Sequence, residues 1–224
     1  MGTHTEAGPA LSSSFTDLMT SLAVIFILLL CATLNNARQE GENTRDTILA
    51  ELRKALQGFA AAQVEVKSDP RDPLGLLILV PVDLLAFQLD RAEIPQRGEA
   101  FLRAFIPRLS SIICSEQFSR EINSIVVEGH ADSSGKAPHN WDLSQRRSMS
   151  VVRTSLGVLA DGAAMKERSA FLSLLSASGR GSAELVTGPT GEENPAMSRR
   201  VIFKIRVRSF EQKPLLETLE PRGA

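Results

Sequence analysis

The stretch EGHADSSGKAPHNWDLSQRR, residues 128–147, decides the fold because it joins a strand to a helix through a polar loop. The run 124–128 is rich in β-branched residues and predicts the strand. Apolar residues at helical spacing over 143–159 predict the helix. His130 and Asp132 therefore fall on the loop at the strand tip, where a rigid scaffold commonly presents binding groups.

A carboxylate and a guanidinium from this stretch can converge on one cleft. Arg147 lies fifteen residues after Asp132, on the first turns of the predicted helix, and it shares a helix face with Ser144. An exposed pair of this kind would suit a zwitterion, because the carboxylate takes an ammonium and the guanidinium takes a carboxylate in a bidentate fork. A simple surface salt bridge between the two side chains is the alternative, and spacing alone favours it.

Further strands and helices are predicted on both sides of this stretch. An apolar run from Leu74 predicts a strand that turns at Pro81, and Pro95 opens an amphipathic helix. A short helix is predicted within 160–182 and a half-buried strand over 201–207. Strands that alternate with helices imply an α/β fold, in the form of an α+β two-layer sandwich with helices on a face of one sheet.

These residues resemble the peptidoglycan-binding module of the OmpA C-terminal type, which OmpA, Pal and MotB share. The matching positions are Gly129, His130, Ala131, Asp132, Asn140, Leu143, Ser144 and Arg147, followed by Ser198, Arg199, Arg200 and Val201. The resemblance spans about residues 74–208. It implies that Asp132 and Arg147 grip the amino and carboxylate groups of diaminopimelate in the stem peptide, while Asn140 and Leu143 line the same groove. The segment 179–186 departs from the family's usual turn and leaves the register of a fourth strand open.

Composition and site chemistry argue against an enzyme and against a nucleic-acid partner. The 25 basic and 26 acidic residues leave a formal net charge of −1, so no basic surface is indicated. Cys31 and Cys114 are far apart and offer neither a C-x-x-C metal spacing nor a good disulfide pair. His130, Asp132 and Ser144 do not suggest a nucleophile activated by a base. No catalytic residue, cofactor or metal site is predicted, and His130 is expected to be a structural hydrogen-bonding residue.

An apolar run near the N-terminus predicts a single membrane span. Residues 18–37 carry no formal charge, which matches the length of about 20 residues that a spanning helix needs. A cleaved signal peptide would have a basic region first, but no Lys or Arg precedes Arg38. We therefore expect a transmembrane helix over 15–35 after a short cytoplasmic N-terminus, residues 1–14. The basic residues after the span favour the opposite orientation, but peptidoglycan binding would place the C-terminal domain in the periplasm.

Asp17 stands at the mouth of the apolar run and has two interpretations. Ser14 and Asp17 fit a capping box, in which the carboxylate gains about 0.3–1 kcal/mol from the helix dipole. An ionisable residue in a membrane span is also a functional hypothesis in itself, and Asp17 shares a helical face with Thr20 and Ser21. Burial between helices would favour the neutral carboxyl group, so the residue could alternate between neutral and charged forms.

The stretch FTDLMTSLAVIFILL resembles the membrane helix of MotB-type stator subunits. The resemblance implies that Asp17 carries a proton or a sodium ion, with Thr20 and Ser21 as neighbours on the ion path. It also implies a homodimer inside a ring of a MotA- or ZorA-like membrane subunit, in the bacterial inner membrane. An N-terminus without Lys or Arg and a short connector resemble the ZorB-type subunits of Zorya anti-phage defence. A flagellar stator and a passive Pal- or OmpA-type tether are the alternatives, and a tether has no use for Asp17.

The segment between the span and the module is expected to be a periplasmic linker, residues 36–73. It contains a predicted helix over 44–63 with a narrow apolar seam of the heptad type, formed by Leu49, Leu52, Leu56 and Phe59. This seam suits either packing onto the following domain or pairing with a second copy. The OmpA-like domain is then expected over 74–209, and a flexible tail over 210–224.

Overall fold

A computed structural model describes residues 8–209 with the exception of 86, 89, 163 and 164. The predicted flexible tail, 210–224, lies outside the described residues, as does the start of the predicted cytoplasmic N-terminus, 1–7. The chain divides into two compact units, Met1–Glu40 and Gly41–Ala224.

The first long element is helix α1, Gly8–Ala55. From residue 15 onward it is long and apolar enough to cross a membrane, and no other helix in the described part of the chain is. Its large apolar side chains between Phe15 and Leu34 are exposed, as a lipid-facing surface requires. The hydroxyl group of Thr33 donates to the carbonyl of Leu30 at 2.8 Å, so this polar side chain is satisfied within the helix.

The predicted capping box at Ser14 is wrong. Helix α1 begins at Gly8, which places Asp17 within the helix and beyond its first turn. Pro9 occupies the first turn, where a missing backbone N–H costs nothing because that group has no intrahelical acceptor. Asp17 therefore does not satisfy the N-terminal N–H groups of this helix.

The predicted separate helix over 44–63 is also wrong. Helix α1 continues through the polar connector to Ala55 and is followed by a 3-10 helix, Gln57–Ala62. This connector, residues 35–46, contains five Arg, Gln and Glu residues and no Pro. These residues favour helix, so polarity alone does not indicate a break in the chain.

The second unit is built on a five-stranded sheet in the order β1-β2-β5-β3-β4, with β3 and β4 parallel and the other pairs antiparallel. The strands are β1 (Glu65–Ser68), β2 (Gly75–Leu79), β3 (Ile122–Gly129), β4 (Leu175–Gly179) and β5 (Val201–Val207). The helices are α2 (Gln96–Ile113), α3 (Ala137–Gly162), α4 (Met165–Leu174) and the single turn α5 (Pro195–Ser198).

Helices cover one face of this sheet, which confirms the predicted α+β two-layer sandwich. Alternate residues of β5 enter the core. Phe203 and Ile205 belong to the same buried cluster as Leu102 and Phe105 of α2 and Val151 of α3. Phe105 lies 5.4 Å from Phe203, measured between ring centroids. The sandwich fixes the tips of β3 and β4 against the first turns of α3.

The C-terminal turns of α1 pack into this core. Leu49, Leu52 and Leu56 are buried in the same cluster as the sheet, and the Phe59 ring makes edge contacts with the rings of Phe101 and Phe105 at 5.8 Å each. The sequence left open whether the apolar seam packs onto the following domain or pairs with a second copy. In the structure it packs onto the domain.

Two strands escape prediction from the sequence. Strand β1 lies within the expected linker 36–73 and pairs with β2. Residues 65–68 are therefore part of the sheet. Strand β4 has the sequence LSASG, whose Ser, Ala and Gly residues have low strand propensity. It lies at a sheet edge, where pairing with β3 supports it. The unusual segment 179–186 is the loop after this strand.

Candidate functional site

Two glycines allow helix α3 to pack closely over the strand tips. A Cβ atom on Gly129 would lie 2.2 Å from the carbonyl oxygen of Ser144, and one on Gly179 would lie 2.5 Å from the backbone nitrogen of Gln145. No side chain fits at such distances. The first turns of α3 therefore lie directly against the ends of β3 and β4, which brings the loop after β3 close to the residues of α3.

Asp132 on this loop is buried, with 6% of its surface exposed. Its Oδ1 accepts hydrogen bonds from the backbone N–H of Ser134 at 3.1 Å and from the Ser134 hydroxyl. Its Oδ2 accepts a hydrogen bond from Arg199 Nη1, which is also an ion pair. Burial raises the pKa of Asp132, but the bonds from Ser134 and Arg199 outweigh it and hold the pKa below its usual value. The carboxylate is therefore charged at neutral pH.

Asn140 braces the loop from behind. Its Nδ2 donates to the carbonyl oxygens of Asp132 at 3.1 Å and Ser134 at 2.8 Å. Asn140 and Leu143 are both buried. Asn140 thus fixes the backbone that carries the carboxylate, and its amide nitrogen is engaged by that backbone.

Arg147 is 3% exposed, whereas the sequence suggested an exposed guanidinium. Nε donates to the carbonyl oxygen of Arg91 at 3.0 Å, and Nη2 donates to that of Gln88 at 3.2 Å. The guanidinium carbon lies 5.2 Å from the centre of the Phe87 ring, within range of a cation–π contact. The loop between β2 and α2 therefore forms one wall around Arg147.

Asp132 and Arg147 influence each other, but they do not form the salt bridge that spacing alone suggested. Burial lowers the pKa of Arg147, the charge of Arg199 lowers it further, and the charge of Asp132 raises it. The ion pair of Asp132 is made with Arg199. At the centre of the site, Asp132 thus lies near two guanidinium groups. That of Arg147 is buried, and that of Arg199 is 39% exposed.

Two side-chain contacts close the ends of this site. His139 Nε2 lies 2.9 Å from Asp90 Oδ1 and ties α3 to the β2–α2 loop. Glu193 accepts hydrogen bonds from Ser133, through the backbone N–H at 3.0 Å and through the hydroxyl. Sequence reasoning missed both contacts because their partners are 49 and 60 residues apart in the chain. It missed the carbonyl groups around Arg147 because a backbone acceptor does not depend on residue type.

Comparison with known proteins identifies the domain. Residues 86–196 match the OmpA family model. The chain carries an OmpA-like domain. The ZorB protein of the Zorya system from Escherichia coli is 26% identical over 205 residues, which cover 86% of each chain. An uncharacterised protein of Bacillus subtilis, YtxE, is 24% identical over 190 residues, which cover 68% of this chain and 73% of that protein.

A solved structure has the same fold. The crystal structure of a MotB-like protein from Desulfovibrio vulgaris superposes with a TM-score of 0.53 at 23% identity. The match covers 76% of this chain and 99% of the other. The likeness agrees with the sandwich described above and with the OmpA-like domain.

His130 of the OmpA-like domain does not form the side-chain hydrogen bond that its sequence position suggested. Its backbone N–H donates to the carbonyl of Arg200 at 2.9 Å, but neither ring nitrogen has a hydrogen-bond partner among the described residues. Burial, followed by the charge of Arg200, lowers the pKa of His130 to about 4. The ring is therefore neutral at neutral pH and supplies packing at the strand end.

Metal-ligating side chains do not cluster in the described part of the OmpA-like domain. No group of three or more His, Cys, Asp or Glu residues there could hold a metal ion. The chemistry of the site is that of charge pairing: a carboxylate for a cation and a guanidinium for an anion.

Proposed function

We propose that the chain is the peptidoglycan-anchored subunit of an ion-driven motor in the bacterial inner membrane, of the ZorB type. The match to the Escherichia coli ZorB protein supports this proposal, because it extends over 86% of this chain and so beyond the OmpA-like domain. The α+β sandwich and the apolar helix α1 agree with it. The partners would be a ring-forming membrane subunit of the MotA or ZorA type, a second copy of this chain, and the cell wall.

The observation that carries the wall-binding part is the placement of Asp132 and Arg147 around one site. Diaminopimelate carries an ammonium and a carboxylate at the end of its side chain. A carboxylate on the loop after β3 and a guanidinium on α3 suit these two groups at once. Burial strengthens both contacts, since charge pairing gains energy where water is excluded.

The motor part of the proposal depends on helix α1. Its exposed apolar surface suits a membrane, and Asp17 lies within the helix instead of at its end. A carboxylate in that position would carry a proton or a sodium ion. With the OmpA-like domain at the wall, the N-terminus would be cytoplasmic and the domain periplasmic.

Co-sedimentation of the full-length chain in detergent with purified sacculi tests the wall-binding part. We expect Asp132→Asn and Arg147→Lys each to weaken binding about tenfold or more, which corresponds to about 1.4 kcal/mol or more. Asp132→Asn removes the charge that meets the ammonium. Arg147→Lys keeps the positive charge but loses the planar fork that binds a carboxylate with two hydrogen bonds. Arg146→Gln is the matched control, since Arg146 is exposed and pairs with Asp142 at 2.8 Å. Fluorescence of Trp141, the single tryptophan, verifies folding. Wild-type sedimentation of both groove variants would overturn the assignment.

A further inference from the structure

Arg199 lies on the carboxylate that the proposed function assigns to a ligand ammonium. Its Nη1 donates to Asp132 Oδ2. Oδ1 of the same carboxylate is engaged by Ser134, two residues away on the same loop. The hydrogen bonds from Ser134 to Oδ1 thus orient the Asp132 side chain, and Oδ2 pairs with Arg199 from a distant part of the chain.

The backbone around Arg199 holds this cation at the surface end of the site. Arg199 follows the single turn α5, and its backbone N–H donates to the carbonyl of Pro195. Its side chain is 39% exposed, whereas that of Asp132 is 8% exposed. Arg200 bonds elsewhere, donating to the carbonyls of Glu184 at 3.1 Å and Ser198 at 3.4 Å. The two consecutive arginines therefore have different partners, and only Arg199 reaches the groove.

The contact between Arg199 and Asp132 is suited to exchange. The Arg199 side chain is 39% exposed, so the guanidinium regains water when it leaves. The carboxylate of Asp132 is buried and needs a cation, and the ammonium of a ligand supplies one in the same step. Arg199 also lies close enough to Arg147 for the two positive charges to repel each other, which weakens the hold of Arg199 on the site. A ligand that brings its own ammonium to Oδ2 and its carboxylate to Arg147 would relieve this repulsion.

We propose that Arg199 is an internal competitor for the ammonium position, and that ligand binding exchanges the guanidinium for the ligand's ammonium. This inference rests on the proposed wall-binding function. Ligands with a cationic amine complete the exchange, whereas ligands without one leave Arg199 in place. Arg199 thereby sets both the affinity of the groove and its preference for an amine.

The size of the effect follows from the occupancy of the internal pair. An apparent dissociation constant is the intrinsic constant divided by the fraction of molecules that are competent to bind. If Arg199 covers Asp132 in about 80–90% of molecules, its removal tightens binding about fivefold to tenfold. A structural salt bridge would give the opposite sign, since its loss would loosen the loop.

The test measures binding of a defined peptide to the full-length chain in detergent by isothermal titration calorimetry. The probe is L-alanyl-γ-D-glutamyl-meso-diaminopimelate, and the second probe is the same tripeptide with its side-chain amine acetylated. We expect Arg199→Gln to bind the free amine about fivefold to tenfold more tightly than wild type. Arg199→Lys keeps a competing cation and should stay near wild type. Arg146→Gln removes a nearby surface charge as the control and should also stay near wild type.

The acetylated probe separates exchange from a general change in the groove. We expect Arg199→Gln to give no gain with this probe, because an amide does not replace a cation at Asp132. A gain with both probes, or equal or weaker binding of the free amine, would overturn the competitor role. If wild type binds the free amine and Asp132→Asn loses it, the proposed function stands independently of that result. If no variant binds either probe, both the proposed function and this inference fail.

Discussion

At the scale of single residues, the burial of His130 links the stability of the domain to pH. The side chain is 0% exposed, and its pKa falls from 6.5 to about 4 in the folded chain. The unfolded chain therefore takes up a proton between these two values while the folded chain does not. Stability is fully present above pH 6.5 and is lost as the pH falls towards 4, by about 3 kcal/mol in total.

We expect the free energy of unfolding, measured by urea denaturation with Trp141 fluorescence, to fall between pH 7 and pH 5. His130→Gln should remove most of this slope, because glutamine does not titrate. His139→Gln is the matched control, since His139 lies at the surface beside Asp90 and should leave the slope in place. Three carboxylates also have a lowered pKa in the folded chain: Asp69, Asp132 and Glu184. They affect the free energy of unfolding at lower pH, where carboxylates take up protons. An unchanged slope in His130→Gln would contradict this account.

Residue type alone predicted the charges of the site but not their partners. Asp132 and Arg147 were assigned from spacing and resemblance, and the structure brings them to one site. Arg199 was noted within the motif SRRV, but nothing in that motif indicates that it pairs with Asp132. Pairing over 67 positions depends on the path of the loop before β5, and that path is set by tertiary packing.

At the scale of elements, the last turns of α1 act as a core helix of the OmpA-like domain. Leu52 is 0% exposed and lies in the main apolar cluster. We expect Leu52→Ala to lower the free energy of unfolding by about 2–5 kcal/mol, through lost burial and a cavity. Glu51→Ala on the exposed side of the same turn should change it by less than about 0.5 kcal/mol.

Denaturation of the two variants, combined with their oligomeric state in detergent, checks this element. A seam between two copies would make Leu52→Ala shift the oligomeric state while the domain kept its stability. That outcome would contradict the packing described here. The sequence left both roles open because leucines at heptad spacing suit a core and a coiled coil equally. The surface that faces the seam is α2, through Phe101 and Phe105. Which surface faces the seam depends on tertiary packing and cannot be read from the spacing of the leucines.

At the scale of the whole molecule, the chain divides into two units that place their apolar residues differently. Helix α1 exposes its large apolar side chains over residues 15–34, whereas most large apolar residues of the second unit lie in one core. Hydropathy and periodicity were enough to predict a long apolar N-terminal helix and the sheet with its helices. They misplaced the helix start and missed β1 and β4, because short or weakly patterned segments are defined by their neighbours.

Asp17→Asn tests whether these two parts form a motor or a passive tether. Asparagine keeps the shape of the side chain, so we expect normal membrane levels and normal binding to sacculi. A permanently neutral amide cannot release a proton and offers no charge to a sodium ion, so the motor should stop and phage protection should be lost. The measurement is plaque formation in cells that express the variant with its ring-forming partner. Asp46→Asn is the control, because Asp46 lies on the same helix but pairs with Arg45 at the surface. Intact protection in Asp17→Asn would leave wall attachment as the only activity and favour the tether.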